Sequence, residues 1–126
     1  MKKYKIYIDV YNIILEVWIG GTEKDFCKEI KQLGEDLVED GATGSYVEIY
    51  DKNHKARIIK RIIWSKNKNK YILYHEIFHA IIEILSYINI YLVKDTQERY
   101  IGTSQEPYAY LFEFLIREID KILKKK

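Results

Sequence analysis

The segment that most constrains the fold is NKYILYHEIFHAIIEILSY, residues 69–87, because its apolar residues recur at helical spacing. A helical wheel centred on Ile77 groups on one stripe Leu73, Ala80, Ile81, Ile84 and Ile88. The opposite side carries His75 and His79 together with three further apolar residues, Tyr71, Phe78 and Ile82. A helix that is apolar nearly all round is central in a protein, so we expect a central helix from about 69 to 91.

Within this helix His75, Glu76 and His79 form the pattern H-E-x-x-H. Positions i and i+4 share one helix face, so two imidazoles at this spacing can bind one metal ion. Glu76, beside the first imidazole, could accept a proton from water at the metal. The alternative is a core helix whose histidines bond to backbone or tyrosine groups. We favour a Zn²⁺ site, because two histidines on a buried face are costly unless they are paired or bind metal.

A catalytic zinc site takes three protein ligands, so the two histidines need a partner. Glu106 in TSQEPYAYLFEFL is our first candidate, near the start of the next helix and with small Ala109 one turn on. A competing interpretation is a capping box, with Thr103 as the N-cap, Glu106 bonding back to its amide, and Pro107 in the first turn. The substitutes for Glu106 are, first, Glu113 and then Glu83, Asp95, Glu98 and His54.

The remaining segments predict a single α+β domain over residues 1–126. Apolar and polar residues alternate over residues 3–19. This pattern predicts either one long bent strand or a hairpin that turns near DVYN. Residues 22–41 predict a helix that starts at Thr22 and ends at Gly41. A second hairpin with the turn DKNHK follows, and a last helix begins after KDTQERYIG. We therefore expect three helices packed on one face of a small, mainly antiparallel sheet.

The composition excludes several functional classes. The 126 residues carry a net charge of +2, which gives no field to attract nucleic acid. We predict no membrane span, because charged and polar residues interrupt the apolar stretch 71–93, and we see no secretory signal. The single Cys27 excludes an internal disulfide and a thiolate zinc cluster. We expect a cytoplasmic protein; its oligomeric state is not predicted.

YHEIFHAII, followed by SQEPYAYLFEFL, resembles the gluzincin metallopeptidases, in particular minimal domains of the ImmA/IrrE type and short phage-encoded H-E-x-x-H proteins. The resemblance covers roughly residues 69–118 and implies a zincin-like fold. It implies zinc ligation by His75, His79 and Glu106, with Glu76 as the general base. The strong use of tyrosine, isoleucine and lysine fits a phage or other mobile element.

The resemblance implies a zinc-dependent peptidase that hydrolyses a peptide bond in a protein partner. An oxyanion donor would then be needed; Tyr108 is our candidate, and Tyr110, Tyr100 and Tyr74 are also near in sequence. In such enzymes the substrate adds as an extra strand to a sheet edge, for which HKARIIKRIIW is the candidate here. Arg57, Lys60 and Arg61 could equally protect that edge from aggregation. The alternative function is a non-catalytic protein on a zincin scaffold, a phage structural, assembly or interaction component.

Overall fold

The computed structural model describes residues 1–88 and 102–125, without the side chains of residues 102–105. A short 3₁₀ turn, Asp9–Tyr11, joins the first two strands, so the predicted turn near DVYN is confirmed. The predicted second hairpin, which turns after Asp51, is also confirmed. In chain order the elements are β1 (Lys2–Ile8), β2 (Ile13–Ile19), α1 (Glu23–Gln32), β3 (Gly44–Asp51), β4 (His54–Ser65), α2 (Lys70–Tyr87) and α3 (Gly102–Leu123).

The four strands form one mixed sheet in the order β1-β2-β4-β3. β1 pairs with β2, and β3 with β4, in antiparallel fashion. β2 and β4 are parallel, with Leu15 opposite Arg61 and Ile19 opposite Ser65. Parallel neighbours need a crossover connection, which α1 and β3 supply here. The α+β class is therefore confirmed, and one of the three pairings is parallel.

Helices cover both faces of this sheet, so the prediction of three helices on one face is wrong. α2 and α3 pack on one face around Leu15, Val17 and Ile63. α1 packs on the other face, where Phe26 stacks on Trp64 at 4.8 Å between ring centroids and meets the edge of Trp18 at 5.9 Å. Strand alternation marks two apolar faces, but it does not say which helix covers each of them.

α1 begins where the sequence predicts and ends earlier than predicted. Thr22 and Asp25 form a reciprocal capping box at its start. Gly34 has φ +104°, and its amide donates to the carbonyl of Lys31 while the amide of Glu35 donates to that of Ile30. This is a Schellman ending, which needs a residue that tolerates positive φ. The helix therefore stops before Gly34, and the prediction of Gly41 as its end is wrong.

α2 starts at its N-cap Asn69, whose side chain accepts from the amides of Tyr71 and Ile72. Its predicted buried stripe is confirmed, with Ile77 and Ile84 fully enclosed. The other side is not covered by the described residues: Phe78 is 54% exposed, and both histidines are exposed. The prediction of a helix buried all round is therefore wrong for the part of the chain that the structure describes, and positions 89–91 lie outside it.

α3 completes the layer on the α2 side of the sheet, through Leu111, Leu115, Ile119 and Ile122. The Tyr74 hydroxyl donates to Asp120 at 2.6 Å and so ties α2 to α3. Because α3 begins at Gly102, Thr103 stands inside the helix and Pro107 beyond the first turn, which contradicts the proposed N-cap at Thr103. None of the helices in the described ranges has the length and apolar content that crossing a membrane requires.

Candidate metal centre

The two histidines of α2 stand in chelating geometry. Their Nε2 atoms lie 3.2 Å apart, and their rings are inclined by 75°. Two nitrogens bound to one tetrahedral Zn²⁺ at about 2.05 Å each would be separated by about 3.3 Å. The spacing equally permits a hydrogen bond between one protonated and one unprotonated Nε2. Both histidines are exposed, so burial does not force them to pair with each other.

Glu76 lies beside the two histidines, approaches β3 and is only 7% exposed. A Cβ placed on Gly44 of β3 would lie 3.3 Å from Glu76 Oε2, so the carboxylate rests against a strand position where only hydrogen leaves room. The carboxylate has no hydrogen-bond partner among the described residues. Burial raises the pKa of Glu76, and the neighbouring imidazoles of His75 and His79 oppose that rise.

One ligand atom from each of His75, Glu76 and His79 can be chosen so that all three lie within 4.8 Å of one another. At that separation Glu76 can reach a water molecule held between the three side chains. The donor set, two imidazoles and one carboxylate, suits Zn²⁺. Among the residues that the structure describes, no further His, Cys, Asp or Glu joins this group.

The group opens into a cleft of about 600 Å³ that runs along the free edge of β3. α2 forms one wall, and α1 with the following loop forms the other. The lining residues are Glu23, Phe26, Cys27, Leu37, Val38, Asp40, Ala42, Gly44, Ser45, Tyr46, Glu48, Trp64, His75, Glu76, His79 and Glu83. A second hollow of about 390 Å³ continues the cleft at the N-terminal end of α2 and shares Gly44, His75 and Glu76 with it.

The predicted partners of the histidines on α3 lie elsewhere. Glu106 is exposed near the start of α3 and is not in the group of candidate ligands. Glu113 is exposed and pairs with Arg117 on its own helix. Tyr108 is partly buried against the core between the sheet and the helices, outside the residues that line the cleft.

Of the weaker substitutes, Glu83 lines the cleft, one helical turn beyond His79. His54 is exposed at the start of β4. Asp95 and Glu98 fall outside the described residues. The predictions of Glu106 as the third ligand and of Tyr108 as the oxyanion donor thus stay predictions.

Tyr46 is a cleft residue that the sequence reasoning missed. Its hydroxyl donates to Glu48 Oε2 at 3.0 Å, and burial, followed by the negative charge of Glu48, raises the pKa of Tyr46 far above its usual value. The phenol therefore stays protonated and can donate a hydrogen bond. Strand alternation on β3, which puts Tyr46, Glu48 and Tyr50 on one face, was the signal that could have found it.

The free edge beside the histidines is β3, and not the strand that the sequence suggested. Residues Arg61–Ser65 of β4 are flanked by β2 on one side and by β3 on the other, so they cannot receive another strand. The prediction of HKARIIKRIIW as the substrate edge is therefore wrong for its second half. Among the described residues, Arg57 and Lys60 lie in the half of β4 that pairs only with β3.

The residues present fit Zn²⁺ with His75 and His79 as ligands and Glu76 beside them. The histidine separation matches the edge of a zinc tetrahedron, and the carboxylate is held within reach by packing on Gly44. Comparison with family models, with curated proteins and with solved structures gave no match to this chain.

Proposed function

We propose that the protein is a zinc-dependent peptidase that hydrolyses a peptide bond in a protein partner in the cytoplasm. His75 and His79 bind the metal, and Glu76 is the general base. Glu106 is the third ligand by resemblance, and Glu83 is the alternative that the cleft supports. The observation that carries the proposal is the 3.2 Å separation of the two Nε2 atoms beside a buried carboxylate without a hydrogen-bond partner among the described residues.

Bound Zn²⁺ would supply a Lewis acid that polarises the scissile carbonyl and lowers the pKa of water toward 7. The Glu76 carboxylate accepts one proton from the attacking water and returns it to the leaving nitrogen, so that the elements of water are divided between the two products. Its raised pKa favours the first of these two transfers, because a more basic carboxylate takes the proton from water more readily than a fully solvated glutamate would. The Tyr46 hydroxyl has one proton, which it donates to Glu48 in the free protein. To serve as the oxyanion donor it would turn from Glu48 to the carbonyl oxygen as negative charge develops there.

The free edge of β3 provides a place for the substrate backbone. A peptide added there would lie in the cleft, between α2 on one side and α1 with its loop on the other. The scissile bond would then face the His75–Glu76–His79 group, because these residues line the same cleft. The α1 wall is held in place by Glu23, whose carboxylate accepts hydrogen bonds from the amides of Asp40, Gly41 and Ala42.

The first test is metal content by mass spectrometry on protein purified without chelator. We expect about one zinc per chain in the wild type and its loss in His79→Ala. His54→Ala is the matched control, since this histidine lies outside the cleft, and should keep its zinc. Absence of zinc from the wild type, even after zinc is added, would refute the proposal.

The same measurement identifies the third ligand. Loss of zinc in Glu106→Ala would assign it to α3, whereas loss in Glu83→Ala would assign it to α2. If both variants retain zinc, the next candidates are Asp95 and Glu98, which lie outside the described residues. A zinc-loaded wild type that cleaves none of a broad peptide mixture would refute the catalytic part of the proposal.

A non-catalytic protein on this scaffold is the second candidate. One observation favours it: within residues 1–88 and 102–125, Glu76 is the only carboxylate that joins the two histidines, and no other imidazole joins them. In that case the two histidines would hydrogen-bond to each other, and the cleft would hold a partner segment without cleaving it. Phage assembly or interaction components are the class that the resemblance suggests.

A further inference from the structure

We propose that the cleft selects substrates with a lysine or arginine on the amino-terminal side of the scissile bond. This inference rests on the proposed peptidase function and names its substrate class. It is carried by the charge of the cleft walls, together with the direction of β3 relative to α2.

The cleft carries an acidic wall, by which we mean Glu23, Asp40, Glu48 and Glu83. No lysine or arginine lines the cleft in the described part of the chain. Glu76, the fifth carboxylate, is buried at the metal-binding group and serves the chemistry. Opposite charge in the substrate is the direct way to complement such a wall.

The acidic wall is not neutralised by ion pairs within the described residues. None of its four carboxylates forms an ion pair with a described residue, and Glu48 is held by two neutral donors, the hydroxyls of Tyr46 and Tyr50. Arg61 lies opposite Glu48 in the strand register, and its positive charge acts on the hydroxyls of Tyr46 and Tyr50. Its guanidinium packs over the ring of Tyr87, forms no ion pair with the acidic wall and does not line the cleft. A cationic side chain in the cleft would therefore meet carboxylates that form no ion pair with a described residue.

The direction of β3 places the acidic wall relative to the scissile bond. β3 starts beside the first turns of α2, where Gly44 approaches Ile72 and Glu76. Farther along β3, Glu48 lies opposite Arg61, whose guanidinium packs over the ring of Tyr87 in the last turn of α2. β3 and α2 thus run in the same sense past the histidines.

A peptide that pairs antiparallel with β3 runs the opposite way. Its amino-terminal residues lie near Glu48 and Glu83, and its carboxyl-terminal residues lie near Gly44. The hollow at that second end is lined by Thr43, Gly44, Asn69, Tyr71, Ile72, His75 and Glu76, in which uncharged residues predominate. The two ends of the cleft therefore differ in charge, and the basic residue is expected before the scissile bond.

The test is cleavage-site mapping with zinc-loaded protein on a mixture of peptides derived from a whole proteome. We expect lysine or arginine to be enriched within three positions before the cut. Two synthetic peptides from that set, one with lysine and one with leucine at the selected position, measure the effect of one charge. Glu48→Gln should lower the ratio of kcat/KM for the lysine peptide to that for the leucine peptide about tenfold, because it removes one attractive charge.

Asp9→Asn is the control for net charge. Asp9 is exposed between β1 and β2, toward the opposite edge of the sheet. Removal of its charge should leave kcat/KM unchanged for both peptides. Cleavage without a basic preference, or with the preference after the cut, would overturn this inference and leave the peptidase intact. A zinc-loaded protein that cleaves no peptide would overturn the proposed function and this inference with it.

Discussion

Two buried glutamates on opposite faces of the sheet differ in the partners of their carboxylates. Glu16 on the α1 side is 8% exposed and Glu76 on the α2 side is 7% exposed. Glu16 accepts a hydrogen bond from Trp18 Nε1 at 3.1 Å and pairs with Lys60 at 3.1 Å. Glu76 has neither kind of partner among the described residues.

The difference indicates different tasks. A buried carboxylate with a donor and a cation is stabilised as an anion and holds neighbouring strands together. A buried carboxylate without them is costly, and such groups concentrate at functional sites. The buried carboxylate on the α1 face therefore has a structural environment, and the one on the α2 face stands beside the candidate metal ligands. Four predictions test this division.

The largest expected effect is on catalysis in Glu76→Gln. Replacement of the proposed general base should lower kcat about 10²- to 10⁴-fold. Zinc content and thermal stability should hardly change, because the amide occupies the same space without a buried charge. Cleavage assays and a melting curve on one preparation check both statements. Wild-type cleavage rates in this variant would remove Glu76 from the mechanism.

The second effect is stabilisation by the metal. Zinc at a hundredfold excess over its Kd should raise the free energy of unfolding by about 2.7 kcal/mol, provided that the unfolded chain does not bind it. Urea unfolding with and without zinc measures this. His75→Ala should abolish the increment, and His54→Ala should preserve it. An equal increment in His75→Ala would place the zinc elsewhere.

A smaller effect is expected where β3 presses on Glu76. A Cβ on Gly44 would lie 2.5 Å from Ile72 Cγ2, so Gly44→Ala must displace one of the two elements. We expect a loss of about 1–3 kcal/mol in stability and slower cleavage, since the same Cβ meets the Glu76 carboxylate. The double variant Gly44→Ala/Ile72→Ala removes the first clash and should show a favourable coupling. Independent, additive losses would contradict this account.

The smallest effect is expected at Glu16. Glu16→Gln should lower stability by about 1 kcal/mol, because the pair with half-exposed Lys60 is lost while a carbonyl oxygen can still accept from Trp18. Zinc binding and cleavage should not change. Glu118→Gln, which breaks an exposed pair with Lys121, is the matched control and should cost less. A change of cleavage rate in Glu16→Gln would erase the contrast with Glu76.

Features set by local patterns were predictable from the sequence. The N-cap at Thr22, both hairpin turns and the buried stripe of α2 depend on residues close together in the chain. The H-E-x-x-H geometry belongs to this class too, because helical spacing alone brings His75 and His79 together.

Features that depend on distant segments were not predictable in the same way. The parallel pairing of β2 with β4 and the placement of α1 on the far face involve elements that many residues separate. Phe78 suggested a buried histidine side on account of its apolar ring, yet it is exposed. The role of Glu48 in the cleft follows from β3 being the edge strand, which no local pattern reveals.

The β2–β4 pairing also has a consequence for the order of folding. Leu15 and Arg61 come together only after the intervening helix and hairpin have been brought back to the sheet, and closing so long a loop is slow. α2 follows β4 in the chain and packs on the surface that this closure completes. The histidine pair should therefore reach its final environment late in folding, so a chain caught before closure would present an apolar sheet face without the means to act on a substrate.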